Sequence, residues 1–320
     1  MIKADIIDKE LREKLNNVAK DEMAVFVMAD GRLRGALFNG THFINQMKAQ
    51  HNTGILETYI LGQGMLCGAL LIPMMKGREK VLWKYEVNGP AKGFMIEADS
   101  AGTVHGFLTT NHIPIDKPLE NWNMAPFLGD GIITMQRMQE NDKQPFSSSV
   151  DVHDKNIAMD LATYFSMSQQ INTGFSTSIQ MDNMGRVIGA GGIFLQVMPE
   201  TGGTKKIGAE VSSSSDWKDD EELLQRAEMA LNAIPSLGGW FAEGNGLDNL
   251  IKGMFREFEP TIAVRRDITF DCPCNKEHYL KYIKTLPKSE IDSIKNSGEK
   301  FIEVQCHNCS SIYKINVDEI

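Results

Sequence analysis

The chain is poor in cysteine, with five in 320 residues. So few thiols cannot staple a secreted scaffold of this size, and an odd number leaves one unpaired. Long apolar runs are also missing. The longest, around Met65–Met75, is too short to cross a bilayer, and residues 1–30 hold no apolar segment behind a basic start. The expectation from these absences is a cytoplasmic chain, away from membranes. Positive charge is in deficit, 33 Lys and Arg against 42 Asp and Glu, a net charge of −9. A field of that sign repels phosphate backbones and anionic lipid, so a nucleic-acid role needs a local basic patch. Catalytic signatures are equally thin. Gly189, Gly191 and Gly192 lack the third glycine of a dinucleotide loop and no P-loop lysine follows, so close strand packing or a bulge suits them better. His105, His112 and His153 are scattered, with no Ser or Cys nucleophile beside them. "NGT" at Asn39 and "NCS" at Asn308 are sequons by pattern only, since a cytoplasmic chain is not glycosylated there.

What is present is the composition of an ordinary globular protein, 42% hydrophobic and 23% charged, in a chain long enough for two or three domains. "DIIDKELREKLNNVA" reads as an amphipathic helix, and "ILETYILGQGMLCGALLIPMM" as a buried helix broken near Pro73, with Cys67 packed inside it. From Val81 the period changes to two: "VLWKYEV", "GFMIEA" and "VHGFL", separated by turns, predict an antiparallel meander, and "GDGIITMQRM" a further strand. A helix with Ile157, Leu161, Tyr164 and Phe165 on one face follows, then strands in "GFSTSIQMD" and "VIGAGGIFLQVMP". The polar stretch "TGGTKKIGAEVSSSSDWKDD" marks a boundary. Beyond it Ser215 or Asp216 can cap a helix striped by Leu224, Ala227, Leu231 and Ile234 and stopped by Pro235 and Gly238; "GLDNLIKGMFREF" adds another. This middle segment has too few apolar residues to own a core and must lean on a neighbour. The expected fold class is therefore α+β: an N-terminal mixed domain with antiparallel sheets (1–205), a helical middle segment (206–266) and a small C-terminal metal-binding unit (267–320).

Four of the five cysteines fall in that last unit, as "FDCPCN" and "VQCHNC": Cys272, Cys274, Cys306 and Cys309, a C-x-C and a C-x-x-C separated by 31 residues. Four thiolates from two short loops build a closed tetrahedral zinc site. Structural disulfides are disfavoured in the cytosol, and a thioredoxin-like C-x-x-C should open a helix after a strand, whereas this one lies between "FIEV" and "SIYKINV", which read as a hairpin. His307 is a bystander when four thiols are available. Tyr279, Leu280, Ile283, Leu286, Phe301 and Ile302 supply the main apolar content, so folding of some fifty residues should depend on the metal. Lys276, Lys281 and Lys284 lie near enough in sequence to offset the negative charge of a zinc tetrathiolate. An oxidant that takes electrons from the thiolates removes the ligands. Sequence neighbours then suit disulfides best, Cys272 with Cys274 and Cys306 with Cys309, and such short bridges do not hold the two loops together. Spacing alone leaves a redox switch and a permanent zinc ribbon equally open.

The chain resembles the redox-regulated holdase chaperones of the heat shock protein 33 family. The likeness is carried by "ILGQGMLCGALL" with Lys76 and Gly77, "NGPAKGFMIEADSAGTVHGFL", "ATYFSMSQQ", "GAGGIFLQVMP", "LIKGMF" and the two cysteine pairs, in order over nearly the whole chain. Pro273 stands where the family more often has a polar residue, and "SQQ" at Ser168–Gln170 has Gln where it usually has an acid. The resemblance implies a reduced, zinc-bound, inactive form and an oxidised form that has lost zinc, unfolded its C-terminal unit and middle segment, and binds unfolding clients without ATP and without catalysis. It also implies a homodimer on activation and hand-over of clients to ATP-dependent foldases. The rival reading is a zinc ribbon that binds nucleic acid, which the charge disfavours.

Overall fold

The computed structural model describes residues 1–115, 119, 121–198 and 220–320. Asp8 starts the first helix by accepting the Leu11 N–H (3.0 Å), and α1 (Lys9–Leu15) buries Leu11 and Leu15. Strands β1 (Glu22–Met28) and β2 (Leu33–Asn39) lead to helices α2 (Thr41–His51) and α3 (Ile55–Leu71). A meander of β3 (Lys80–Val87), β4 (Gly93–Asp99) and β5 (Thr103–Leu108) follows, then the short α4 (Ala125–Leu128), β6 (Gly131–Met138) and β7 (Phe146–Asp151). After α5 (Ile157–Tyr164) the chain returns as a hairpin of β8 (Thr173–Met181) and β9 (Val187–Val197). Three helices, α6 (Asp220–Asn232), α7 (Leu237–Ala242) and α8 (Leu247–Met254), precede β10 (Thr261–Arg266) and the two-residue β11 (Thr269–Phe270). The tail comprises α9 (Lys276–Ile283), α10 (Lys288–Lys295) and the hairpin β12 (Phe301–Gln305) and β13 (Ile312–Asn316). The fold is α+β, with antiparallel pairing throughout the described sheets except between β11 and β5.

The strands form sheets in the orders β10-β1-β2-β9-β8 and β11-β5-β4-β3-β6-β7, with β12 and β13 apart. In β3 the expected alternation holds: Val81, Trp83, Tyr85 and Val87 are buried while Lys80 and Glu86 face out. Between the two larger sheets lies α3. With its 3-10 continuation it spans Ile55–Met74, long and apolar enough by composition to cross a membrane, yet 83% of its most apolar window is buried inside the protein. This helix is longer than the apolar run in the sequence because polar residues near its start find internal partners. The Glu57 carboxylate accepts the Ile113 N–H (2.7 Å), and the Thr58 hydroxyl donates to the Gly54 carbonyl (2.5 Å).

One face of the β1-β2-β9 sheet, with Met23, Ala36, Phe38 and Phe194, packs on α2 and α3. The opposite face, with Ala24, Phe26, Leu37, Ile193 and Leu195, is covered by α6, α7 and α8 through Leu223, Phe241 and Leu250, and by Phe255 just after α8. The middle helices thus lean on the N-terminal sheet, as their small apolar content requires. Two details differ from the sequence expectation. Leu223, not Leu224, is the fully buried position of α6, and Gly238 lies inside α7 rather than stopping a helix. The reason is close packing: a Cβ on Gly189 of β9 would run into the Gly238 carbonyl, and one on Gly191 into the Phe241 ring. The glycines of "GAGG" therefore serve helix-on-strand contact. The expected boundary near residue 205 and the caps at Ser215 or Asp216 lie outside the described residues.

Candidate metal centre

The two cysteine loops are placed by different elements. Cys272 and Cys274 follow β11, whose Thr269 and Phe270 pair with Thr103 and Val104 of β5, so the first loop hangs from the six-stranded sheet. Asn275 then accepts the His278 N–H (2.7 Å) and turns the chain into α9 directly after the second cysteine. Cys306 and Cys309 occupy the tip of the β12–β13 hairpin. There the Cys306 N–H donates to the Ser311 carbonyl (2.8 Å) and the Ser310 N–H to the Cys306 carbonyl (2.8 Å).

Packing brings the four sulfurs together: all four residues are buried and their sulfurs lie within 4.8 Å of one another. Cys272 Sγ is 3.9 Å from Cys306 Sγ, and Cys274 Sγ is 3.4 Å from Cys309 Sγ. Ligands about 2.3 Å from a tetrahedral ion stand about 3.8 Å apart, so this cluster has the dimensions to hold a metal ion. Without a cation the four thiols cannot all ionise. The Cys306 thiol is held below the ordinary thiol value by hydrogen bonds from Cys272 and Cys309, while Cys272 is held above it by giving its proton to Cys306. A bound cation removes that competition by favouring four thiolates. His307 is not a member of the cluster; its ring lies edge-on against Phe107, 3.8 Å between centroids.

Two residues beside the sulfurs carry no sequence signal of their own. The Tyr313 hydroxyl donates to the Cys274 carbonyl (2.8 Å) and lies 3.2 Å from Cys274 Sγ, and the Ser311 hydroxyl lies 3.2 Å from Cys309 Sγ. Both follow Cys309 closely, Ser311 just before β13 and Tyr313 within it, which is the one clue the sequence offered. One expectation for this unit is corrected. Phe301 is 41% exposed beneath Lys314, and Tyr313, Ile315 and Val317 are buried with Ile283, because the β13 face toward α9 carries Tyr313 and Ile315. Lys276 pairs with Glu319 (2.9 Å), while Lys281 and Lys284 are exposed.

The centre sits at a seam. Phe270 packs edge-on against Phe43 and His51 of α2, centroids 6.2 and 5.9 Å away, and His51 Nδ1 is 3.0 Å from the Ser310 hydroxyl. Burial holds the His51 ring neutral, its pKa drawn down to about 4. A polar cavity of about 210 Å³ opens along this seam, with His51, Thr109, Cys306, His307 and Ser310 in its wall. Of the three histidines singled out from the sequence, His105 is 4.0 Å from Glu97 and has the Asp271 backbone and Cys306 among its electrostatic neighbours, His112 is 3.4 Å from Glu57, and the His153 backbone N–H donates to Asp160. Cys67 is fully buried in α3, where burial raises its thiol pKa.

The chain matches the family described as Hsp33 protein over residues 21–316. It is 28% identical to the 33 kDa chaperonin of Agathobacter rectalis over 91% of this chain and 95% of that one, and 24% identical to that of Bacillus cytotoxicus over 94% and 97%. The crystal structure of the 33 kDa chaperonin (heat shock protein 33 homolog) from Thermotoga maritima shares its fold, with a TM-score of 0.79 at 24% identity, covering 94% of this chain and 96% of that one. This chain belongs to the Hsp33 family.

Proposed function

We propose that this protein is a cytoplasmic, ATP-independent chaperone that binds unfolding proteins and is switched on by oxidation, with zinc as the ion of the four-sulfur centre. The observation that carries the proposal is the position of that centre. Four buried sulfurs stand at the seam between the C-terminal unit and the core, in one continuous cluster with Phe270 and α3. A sulfur-only donor set suits zinc, and Cys272, Cys274, Cys306 and Cys309 would hold it. When bound, zinc supplies a redox-inert cross-link between two loops.

Peroxide is small enough to enter the cavity walled by Cys306. Each disulfide then forms as two thiolates give up two electrons, the O–O bond of one peroxide breaks, and two protons complete two waters. We assign the bridges to Cys272 with Cys274 and Cys306 with Cys309. Neither bridge spans the two loops, so oxidation leaves the small unit without its cross-link. The covering helices α6–α8 are followed in the chain by β10 and β11, and β11 attaches to the sheet through two residues only. Loss of the unit therefore weakens the segment that hides Phe26, Leu37, Ile193 and Leu195, and an unmasked apolar face of that kind binds partly unfolded chains with little sequence selectivity. Dimerisation on activation and hand-over to ATP-dependent foldases complete the proposal, from the family resemblance.

The test compares suppression of client aggregation by the reduced, zinc-loaded protein and by peroxide-treated protein, with zinc release and disulfide mapping on the same samples. Suppression only after oxidation, with one zinc released per chain, is expected. Equal activity in both forms, or oxidation without metal loss, would sink the switch, and bridges between the two loops would sink the assigned pairing.

A further inference from the structure

Gln50, near the end of α2, is 8% exposed and uses both ends of its amide. Its Nε2 donates to the Ile2 carbonyl (2.9 Å) and to the Ser311 hydroxyl (3.2 Å), while its Oε1 accepts the Ala4 N–H (2.9 Å). Gln46, one turn earlier, donates to the Ala4 carbonyl (3.0 Å). Residues 1–4 are thereby strapped along α2. The metal loops grip the other side of the strap: the Ile2 N–H donates to the Ser311 hydroxyl (3.2 Å) and the Met1 nitrogen to the Cys272 carbonyl (3.0 Å). Ser311, 3% exposed, therefore stands between a core helix and a ligand sulfur.

A serine hydroxyl has two lone pairs and one proton. The Ile2 N–H and the Gln50 amide donate to its oxygen, its own proton goes to the Ile2 carbonyl at 3.0 Å, and the Cys309 thiol, 3.2 Å away, points its proton at the same oxygen. The Ile2 carbonyl already accepts from Gln50. Its second lone pair takes the Ser311 proton, so Gln50 fixes the Ser311 oxygen beside the sulfur, and once a bound cation has ionised Cys309 a hydroxyl held there can turn its proton to the thiolate in a charge-assisted hydrogen bond. Without Gln50 that oxygen loses its direct hydrogen bond to α2.

We propose that Gln50 is a positioning residue for the four-sulfur centre, acting through Ser311, so that docking on the core helix strengthens retention of the metal. The proposal rests on the zinc reading above. Because coupling between two sites is reciprocal, metal binding also tightens the strap on α2.

Zinc affinity of the reduced full chain, measured by competition with a chromophoric chelator, tests this in a double-mutant cycle. Gln50→Met, of similar length, is expected to weaken zinc binding about fivefold. Ser311→Ala should weaken it about tenfold, the low end for loss of a hydrogen bond behind a metal ligand. The double variant should lie within about twofold of Ser311→Ala, since the first residue acts through the second. Independent losses multiplying to about fiftyfold would overturn the proposal, as would unchanged affinity in Gln50→Met. Should Gln50→Met fail to fold, Ile2→Pro disturbs the strap from its exposed side and carries the same fivefold expectation. An unmodified chain that binds no zinc defeats the zinc reading and this inference together; one zinc per chain with independent losses defeats this inference alone.

Discussion

Replacing Phe270 with alanine should undock the metal unit from the core while leaving the metal in place. The side chain is 2% exposed and meets two rings of α2, Phe43 and His51. Truncating a buried phenylalanine costs about 3–5 kcal/mol, the lost transfer energy plus a cavity. The β11–β5 ladder is only two residues long, so what then resists the opening is the set of hydrogen bonds through Ser310, Ser311 and the Cys272 carbonyl. At 1.4 kcal/mol per tenfold, even the lower figure raises the undocked population by more than about 100-fold. Hydrogen exchange reads this directly. The Thr269 N–H donates to Gly102 (2.9 Å) and the Asp271 N–H to Val104 (3.2 Å), and both are released only when the seam opens. Zinc stoichiometry should stay at one, because all four ligands remain. The reasoning is refuted if those two amides exchange less than about tenfold faster, or if the metal is lost in the reduced protein.

Three further outcomes are expected. The buried Asp160 carboxylate accepts from the Tyr85 hydroxyl (2.7 Å) and from the N–H groups of His153, Asp154 and Asn156 (2.9, 2.8 and 2.9 Å), so Asp160→Ala strands four donors and should cost about 3 kcal/mol or more; Tyr85→Phe, which removes one partner, costs about 1 kcal/mol, and equal melting temperatures would contradict this. Cys67→Ala should cost about 1 kcal/mol in stability and change neither zinc content nor the response to peroxide, because that thiol is buried away from the centre; a lost response would show otherwise. The Leu11 N–H, and then the Arg186 guanidinium at 2.7 Å, hold the Asp8 carboxyl below the usual 3.8. Its folded value is the lower one, so its contribution is complete above pH 3.8 and disappears as the pH falls through the folded value. Exchange in α1 should therefore rise in that acid window, and Asp8→Asn should remove the pH dependence.

Much of the architecture was legible because local patterns and burial agree. The period-two run at Val81–Val87 became a strand with the expected buried face, and Ile157, Leu161, Tyr164 and Phe165 turned inward together. The four-cysteine cluster was legible too, since two thiol pairs at tight spacing point to one shared site, and their sulfurs do meet. Harder to read were β1, β2, β7 and β10, which the sequence analysis did not single out. Ladder partners fix these strands: β10 pairs with β1 across more than 230 residues of sequence, and no local period announces such a contact. Phe301 and Leu224 went wrong for a related reason. Both are apolar residues at positions where a one-residue choice of face is settled by what packs opposite.

The sequence by itself determined the four thiols, their division into two loops, the small apolar content of the unit that carries them, and the dependence of the middle segment on a neighbour. All of these follow from residue type and spacing. Tertiary structure decided the rest: that the sulfur cluster faces α2 across a seam, that Phe270, His51 and Gln50 hold that seam, and that the middle helices cover one face of the β1-β2-β9 sheet. Those relations join residues hundreds of positions apart, where burial and unshared protons select partners that sequence spacing leaves open.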